Sequence, residues 1–528
     1  MQVKENKMIR ITVLEEEKQY QILCEEKKSI MQALLLANAE ISALCGGKGI
    51  CGKCKIKFLK GKTEPSDKDR KTFSEKELED GYRLACTAYP RETAVIQLYM
   101  QKEQKIKVVA ETEEKPYNGT AYRKDSDFGI AVDIGTTTIA MQLLEKSKKE
   151  SISAYTGLNP QRSYGADVMS RIDAANHGWG EQLQKKIEEA LEVGFSELIG
   201  KADILKEKVE EIIISGNTTM IHLLLGYSCE TLGVAPFIPV NTGAVRTDSE
   251  KLFPNSGLKC SVKIIPGFSA FVGGDITAGL YYCQMQKKEG TNLFIDLGTN
   301  GEMAIGNREK ILVTSVAAGP AFEGGNISCG IGSVPGAICK VDMKGRKIES
   351  LETIDGKEPL GICGSGVLEA VFELVKEAII DETGLLEEPY FDNGFLLDEQ
   401  RGKNPIVINQ KDIREIQLAK SAVRAGIEVL LKRFGSTYKD IENVYLSGGF
   451  GYYVNVEKAI GIGMLPRELS RKIKPVGNTA LAGAKKLLFQ NAEWKKLRKL
   501  TDMVQEINLG GDKEFQEFYM EYLYFTLK

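Results

Sequence analysis

Ten residues near the amino terminus, CGGKGICGKC (Cys45–Cys54), satisfy two chemical patterns at once. Gly47, Gly52 and Lys53 spell G-x-x-x-x-G-K, a phosphate-binding loop; Cys45, Cys51 and Cys54 recur at C-x5-C-x2-C, a metal loop. A phosphate loop of that kind needs a strand before it, a helix after it, and Ser or Thr following the lysine. Here position 54 is Cys, the preceding SIMQALLLANA (29–39) has helical apolar spacing, and the following KCKIKFLKG (53–61) alternates like a strand. The order is reversed, which argues against phosphate. Gly46, Gly47, Gly49 and Gly52 let a short loop take unusual dihedrals and turn the three thiols inward. Cys86 offers a fourth ligand from a distant segment. Four thiolates suit an iron–sulfur cluster or a structural zinc ion, although zinc sites generally show paired C-x₂₋₄-C units.

A second set of residues lies far downstream. FGIAVDIGTTTIAMQLLE (128–145) is apolar up to Asp133 and then turns on Gly135, Thr136, Thr137 and Thr138. NLFIDLGTNGEMAIG (292–306) repeats the grammar with Asp296, Gly298, Thr299, Asn300, Gly301 and Glu302. Glycine permits close approach, Thr hydroxyls and backbone N–H groups donate to phosphate oxygens, and a strand-end Asp holds Mg²⁺, usually through water. One D-x-G-T is a common strand turn; two, each after a buried strand, are a much stronger signal for a site that takes nucleotide phosphates and Mg²⁺. EEIIISGNTT (210–219) and NVYLSGGFG (443–451) are further apolar strands that stop at Ser-Gly turns. Gly448 and Gly449 in the second would let an adenosine ring pack against bare backbone.

These two sites need scaffolds, and 528 residues is enough for roughly three domains. MIRITVL (8–14) and QYQILC (19–24) read as a hairpin; with the helix at 29–39, the strand at 53–61, RLACTAYP (83–90) and TAVIQLYM (93–100) they make a small β-grasp arrangement. TEEKPYNGTAYRKDSD (112–127) is polar and linker-like. Beyond it, β-branched strands alternate with helices. The expected divisions are 1–103, a linker at 104–127, a first lobe at 128–290, and a second lobe with a carboxy-terminal tail at 291–528. Net charge is only −3, so nothing global favours nucleic acid or an anionic membrane surface. No run reaches the 18 or so apolar residues of a membrane span, and the first twenty residues lack a signal-peptide core. A cytoplasmic location is expected. Eleven cysteines in such a chain do not imply disulfides, and only two histidines, His177 and His222, argue against a histidine metal site or a Ser-His-Asp triad.

The cysteine loop, one residue longer than the plant-type spacing, resembles the adrenodoxin-like [2Fe-2S] ferredoxins. The duplicated hairpins and Ser-Gly turns resemble the actin, sugar kinase and Hsp70 superfamily, whose two ribonuclease H-like lobes clamp ATP. In that superfamily's sugar kinases a catalytic aspartate lies in a context similar to FVGGDITAGL (271–280), so the resemblance implies that Asp275 orients or activates water; the plainer alternative is a helix cap. The combined chain resembles the reductive activators of corrinoid proteins. FGIAVDIGTTT, NPQRSYGADVMSRI (159–172), IISGNTTMIHLLLG (213–226), IDLGTNGE (295–302), AAGPAFEGGNISCGIG (317–332), ICGSGVLEA (362–370) and LSGGFG (446–451) carry that likeness. It implies a short form, with no further domain between the ferredoxin part and the ATPase. It also implies ATP-dependent return of inactive Co(II) to Co(I), with a corrinoid protein and a low-potential electron donor as partners. Alternatives are an ATP-dependent donor to another metalloenzyme and a small-molecule kinase with a ferredoxin appendage. Within NPQRSYGADVMSRI, Arg162, Asp167 and Arg171 suit either phosphate or partner contacts or a solvated loop leading into a helix. Glu323 is the one acid of a glycine-rich loop that reads as a hinge, a site loop or a plain turn. Cys329 and Cys339 read as buried thiols, KSAVRAGIEVLLKRFG (420–435) as a core helix. The aromatic EFQEFYMEYLYFTLK reads as a segment docking on the domain or on the second copy of a homodimer.

Overall fold

The computed structural model describes residues 8–15, 18–39, 41, 45–99, 127–399, 405–449, 454–490 and 494–525. The expected linker, apart from Asp127, lies outside them, as do Phe450 and Gly451. The chain divides into two compact units. One joins residues 1–103 with 159–190 and 222–240; the other holds 104–158, 191–221 and 241–528.

In the first unit, five strands form one sheet in the order Lys18–Glu25, Met8–Glu15, Ala94–Leu98, Lys55–Lys60, Tyr82–Leu84. Met8–Glu15 runs antiparallel to Lys18–Glu25, with Ile11 opposite Ile22, and parallel to Ala94–Leu98, with Val13 opposite Ile96. Strict alternation explains the register: Ile9, Ile11, Val13, Ile56 and Ile96 all point to the buried face. Each such burial contributes about 1.5–3 kcal/mol. The predicted helix is shorter than 29–39. It spans Ile30–Leu36 behind a Ser29 capping box with Gln32, an arrangement worth about 1 kcal/mol. RLACTAYP is a strand only at its start, and a turn carries Cys86. Two short helices unforeseen in the sequence, Asp67–Thr72 and Glu75–Glu79, fill the gap between the third and fourth strands in chain order.

The same unit contains NPQRSYGADVMSRI. Asp167 caps the helix Val168–Ala174 through the Ser170 N–H, so its role here is local. Arg171 is fully buried and donates to the Gly165 carbonyl at 2.9 Å, so it is an interior strut and not a solvated side chain.

The second unit is built on two six-stranded mixed sheets of matching design. One runs Val245–Asp248, Ser261–Ile264, Val209–Gly216, Phe128–Ile134, Thr138–Glu145, Glu150–Leu158; the other runs Ile473–Gly477, Ile441–Ser447, Thr291–Leu297, Gly301–Gly306, Ile311–Val316, Val504–Glu506. In each, an antiparallel hairpin carries the D-x-G-T turn, and a parallel strand ending in Ser-Gly lies beside it. The registers match: Asp133 pairs with Ser215, and Asp296 pairs with Ser447. Helices Gly274–Tyr282 and Thr479–Phe489 pack together where Gly483 meets Ala278. Their apolar faces belong to one core with Ala131 and Ile213 of the first sheet and Phe294 and Val313 of the second. The segment read as a helix at 420–435 is the end of a longer one, Gln410–Phe434, capped by Asn409 and by Gly435. It lies in the core, as its apolar face requires.

Candidate functional site

The cysteine loop is positioned from below by the first helix and from the side by Asp69. Ile30 N–H donates to the Ala88 carbonyl and Met31 N–H to Ala85. Buried Asp69 accepts the Leu84 N–H at 2.7 Å and the Thr87 hydroxyl, bracketing Cys86. Gly46, Gly47, Gly49 and Gly52 all adopt positive φ, the backbone geometry the loop's glycines were expected to supply. Gly46 backs closely onto the Tyr164 carbonyl and Ser170.

The four thiols stand as two pairs. Cys54 and Cys86 Sγ are 3.4 Å apart, and the Cys51 thiol donates to Cys45. That bond, with the N–H groups of Ile50, Cys51 and Gly49, holds the Cys45 thiol down to about 4. Cys54 is likewise lowered by the Cys86 thiol and N–H. Cys51 and Cys86 are pushed up, first by the hydrogen bond each shares with its paired thiol and then by burial. The charges of the two pairs also act on each other. Among the described residues no three His, Cys, Asp or Glu side chains close on a single metal ion. Two thiolate pairs with inward N–H groups fit a two-iron cluster, which needs two thiolates per iron, better than one zinc ion held by four.

In the second unit the two hairpins face each other. Gly135 N–H closes the first turn on the Thr138 carbonyl at 2.9 Å, and Gly298 N–H closes the second on Asn300 at 3.0 Å. Asp133, Asp296 and Asp275 are brought together, close enough for their charges to act on one another. Asp275 lies in the first turn of helix Gly274–Tyr282, where its Oδ1 accepts the Ile276 N–H at 2.9 Å. Burial pushes Asp275 up to about 7, with the Asp296 charge adding to it. Asp133 rises to about 7 by burial despite its bond from Asn478. Asp296 rises to about 6 by burial, opposed by Ser447 and reinforced by Glu323. Glu302 is held well above its ordinary value by burial, then by Asp275 and Asp296. These side chains are half-buried, so they stay reachable from solvent in the cleft between the two hairpins. A cleft of carboxylates at raised pKa favours a divalent cation, which would restore their charge.

Gly448, with φ +95°, packs so closely that a methyl there would lie 2.4 Å from the Leu297 carbonyl. Gly449 faces open space.

Several partners escaped sequence reasoning. Asn217 Nδ2 donates to Thr136 Oγ1 at 3.0 Å, and Asn478 Nδ2 donates to Asp133 Oδ2 at 2.8 Å. Both asparagines cap helices through their Oδ1, accepting from Met220 and Leu481. The signal was present as a second internal echo, GNTT (216–219) against GNTA (477–480). Ser447 binds Asp296 Oδ2 at 2.7 Å and Thr479 at 2.6 Å. Glu323, which its glycine-rich surroundings alone do not assign to hinge, site or turn, reaches the hydroxyls of Thr137 and Thr299 at 2.7 and 3.3 Å. Cys329 and Cys339 are half-buried and each donates to a carbonyl, of Val407 and Glu352 respectively. The carboxy-terminal aromatic segment docks on its own chain. Lys420 donates to the Tyr522 and Tyr524 carbonyls at 2.5 and 2.8 Å, and Ser421 to Tyr519.

Comparison with known proteins agrees with this geometry. Residues 13–91 match the 2Fe-2S iron-sulfur cluster binding domain, 128–288 the RACo middle region, and 290–528 the C-terminal ASKHA domain of RACo. The chain is 35% identical to the corrinoid activation enzyme RamQ of Eubacterium limosum, over 74% of this chain and 69% of that one. It is 28% identical to the [Co(II) methylated amine-specific corrinoid protein] reductase of Methanosarcina barkeri, over 76% and 77%. A solved reductive activator for a corrinoid, iron-sulfur protein superposes with a TM-score of 0.69 at 25% identity, covering 98% of both chains. Among the described residues no helix is long and apolar enough to cross a membrane. With a ferredoxin unit, a duplicated ASKHA cleft and a relative matched at this level, the chain belongs to the RACo-type reductive activators of corrinoid proteins.

Proposed function

We propose that this protein reduces the Co(II) form of a corrinoid protein to Co(I), one electron at a time, with ATP driving the transfer. The observation that carries the reading is the pairing, in one chain, of a four-thiol ferredoxin loop with a duplicated Asp-Gly-Thr cleft. Cys45 with Cys51, and Cys54 with Cys86, would hold a [2Fe-2S] cluster. When bound, that cluster supplies a single electron at low potential, roughly −400 mV in plant-type ferredoxins.

In the cleft, Gly135–Thr138 and Gly298–Gly301 would receive the ATP phosphates through hydroxyl and N–H donors. Asp133 and Asp296, positioned by Asn478 and Ser447, would hold Mg²⁺. Gly448 and Gly449 would form the floor under adenosine. Asp275, with its pKa near neutrality, would take the proton of the attacking water, the condition a general base requires. Helices Gly274–Tyr282 and Thr479–Phe489 join the two sheets in one core. Changes at the hairpins therefore move packed elements and not isolated loops. Nucleotide would shift the equilibrium between two arrangements of the sheets by binding one more tightly. The arrangement it favours would in turn prefer one cobalt state of the partner. Such coupling is needed because each 59 mV or so of unfavourable gap costs a factor of ten in a one-electron equilibrium. The electron donor is a low-potential carrier, and the free thiols suit the reducing cytoplasm.

The test is anaerobic. Purified protein, a low-potential reductant, ATP and a Co(II) corrinoid protein are mixed while the Co(I) absorbance is followed. Co(I) should accumulate only with ATP, and neither Cys86→Ala nor the double variant Thr136→Ala/Thr299→Ala should support it. Equal Co(I) without ATP would refute the coupling.

A further inference from the structure

A single carboxylate touches both phosphate hairpins. Glu323 Oε2 accepts the Thr137 hydroxyl at 2.7 Å and the Thr299 hydroxyl at 3.3 Å. Gly298 is close as well, since a methyl there would sit 3.5 Å from Glu323 Oε1. A threonine hydroxyl has one proton to donate. While it is committed to Glu323, it cannot also donate to a phosphate oxygen. An anionic oxygen that gathers one hydroxyl from each hairpin does the same chemical task as a phosphate oxygen in that place.

We propose that Glu323 is a positioning residue of the nucleotide site: it holds the two hairpins in register in place of phosphate, and the ATP phosphates displace it. This inference rests on the nucleotide reading of the cleft. Two anions cannot share the same pair of donors, and the cleft already disfavours charge. The carboxylate of Glu323 is felt at Asp296, whose ionisation it opposes. Arriving phosphate therefore takes the hydroxyls and drives the Glu323 side chain out.

The consequence travels because of how Glu323 is mounted. It ends the tight turn Pro320–Glu323, and Gly324 follows at φ +78°. The loop that continues from it closes on itself, for a methyl at Gly330 would lie 2.0 Å from the Gly324 carbonyl. Its far end is tied to one helix. Ser328 N–H and hydroxyl both donate to Asp412 Oδ1, at 2.7 and 2.9 Å. Asn409 Nδ2 donates to Ser328 Oγ at 2.6 Å, and Asn326 to Glu415 at 3.3 Å. That helix, Gln410–Phe434, places Val423 against Gly301 of the second hairpin and holds the carboxy-terminal segment through Lys420 and Ser421. Displacing Glu323 thus pushes a closed loop against the start of a long buried helix.

Glu323→Gln keeps the shape and removes the charge. ATP and ADP affinities are measured with Mg²⁺ and with EDTA, alongside amide exchange over 324–331 and 409–415. The expected result is ATP binding about tenfold tighter in EDTA, with a smaller gain in Mg²⁺. Exchange at 324–331 in the nucleotide-free variant should match that of ATP-bound wild type. Unchanged affinity in both media overturns the proposal, and weaker binding confined to Mg²⁺ makes Glu323 a metal-directing residue instead. Glu323→Asp, which keeps the charge but loses the reach to both hydroxyls, should loosen 324–331 and tighten ATP binding; unchanged affinity, or unchanged exchange, counts against the proposal even if the Gln variant misfolds. Ser328→Ala should leave ATP affinity intact and abolish the ATP-induced change at 409–415; a persisting change refutes the route. A wild-type protein that binds no ATP refutes the nucleotide reading itself, whereas ATP binding unaffected by Glu323→Gln refutes only this inference.

Discussion

Adjacent glycines at the end of strand Ile441–Ser447 make opposite predictions for the same substitution. At Gly448, φ is +95°, a conformation that costs an L-residue about 1–2 kcal/mol. The added methyl would also lie 2.4 Å from the Leu297 carbonyl and 3.0 Å from Asp296 Oδ1. The first neighbour is backbone and cannot rotate away, so the strand end that carries Gly298 must shift. Gly448→Ala should therefore destabilise the nucleotide-free protein by about 2–4 kcal/mol and disturb Asp296 at the same time. At Gly449 a methyl meets nothing within 4 Å, so Gly449→Ala should change stability by no more than about 0.5 kcal/mol. That open space is where adenosine is proposed to lie. The same methyl should then weaken ATP binding at least about tenfold, or about 1.4 kcal/mol. Urea denaturation without nucleotide and equilibrium ATP titration separate the two effects. Wild-type ATP affinity in Gly449→Ala would refute adenosine packing at this turn, and wild-type stability in Gly448→Ala would refute the close approach to Leu297.

Cys86→Ala should lower iron content well below two per chain and abolish the visible spectrum of the cluster; a count unchanged at two would remove Cys86 from the ligand set. Asn478→Ala removes a helix cap and the bond that lowers Asp133, so it should cost about 1–2 kcal/mol and raise the Mg²⁺ concentration needed for ATP binding, as followed by thermal shift. Lys420 is pushed down to about 7, by burial first and then by Arg424 on its own helix, while it faces the Tyr522 and Tyr524 carbonyls and the Phe525 ring. An unfolded lysine titrates near 10.4, so between about pH 7 and 10 the unfolded chain binds a proton that the folded chain lacks. Stability should rise with pH across that window, and Lys420→Met should flatten the rise in denaturation measured at pH 7 and 9.

The cysteine loop and the two hairpins were legible because their chemistry is local. Ligand spacing within ten residues, glycines at the turns and an Asp at a strand end depend on the chain path of a single turn, which side-chain types alone constrain. Cys86 was recognisable only by completing a set of four. The helices Asp67–Thr72 and Glu75–Glu79 passed unread because their charged sequences lack an apolar stripe, and capping boxes define them instead. Arg171 illustrates the opposite error, since a charged residue in a polar stretch gives no sign that a carbonyl awaits it inside.

Residue types and their spacing were therefore enough to specify the kind of chemistry and its duplication: thiols at metal spacing, two Asp-Gly-Thr turns, strands alternating with helices. Which residues share a site was settled by the packed fold. Thr137 and Glu323 are 186 positions apart, and Asn478 reaches Asp133 across 345. Those pairings follow from packing two sheets through the helices Gly274–Tyr282 and Thr479–Phe489. No local spacing encodes them, because a contact between distant segments depends on the burial of every element between.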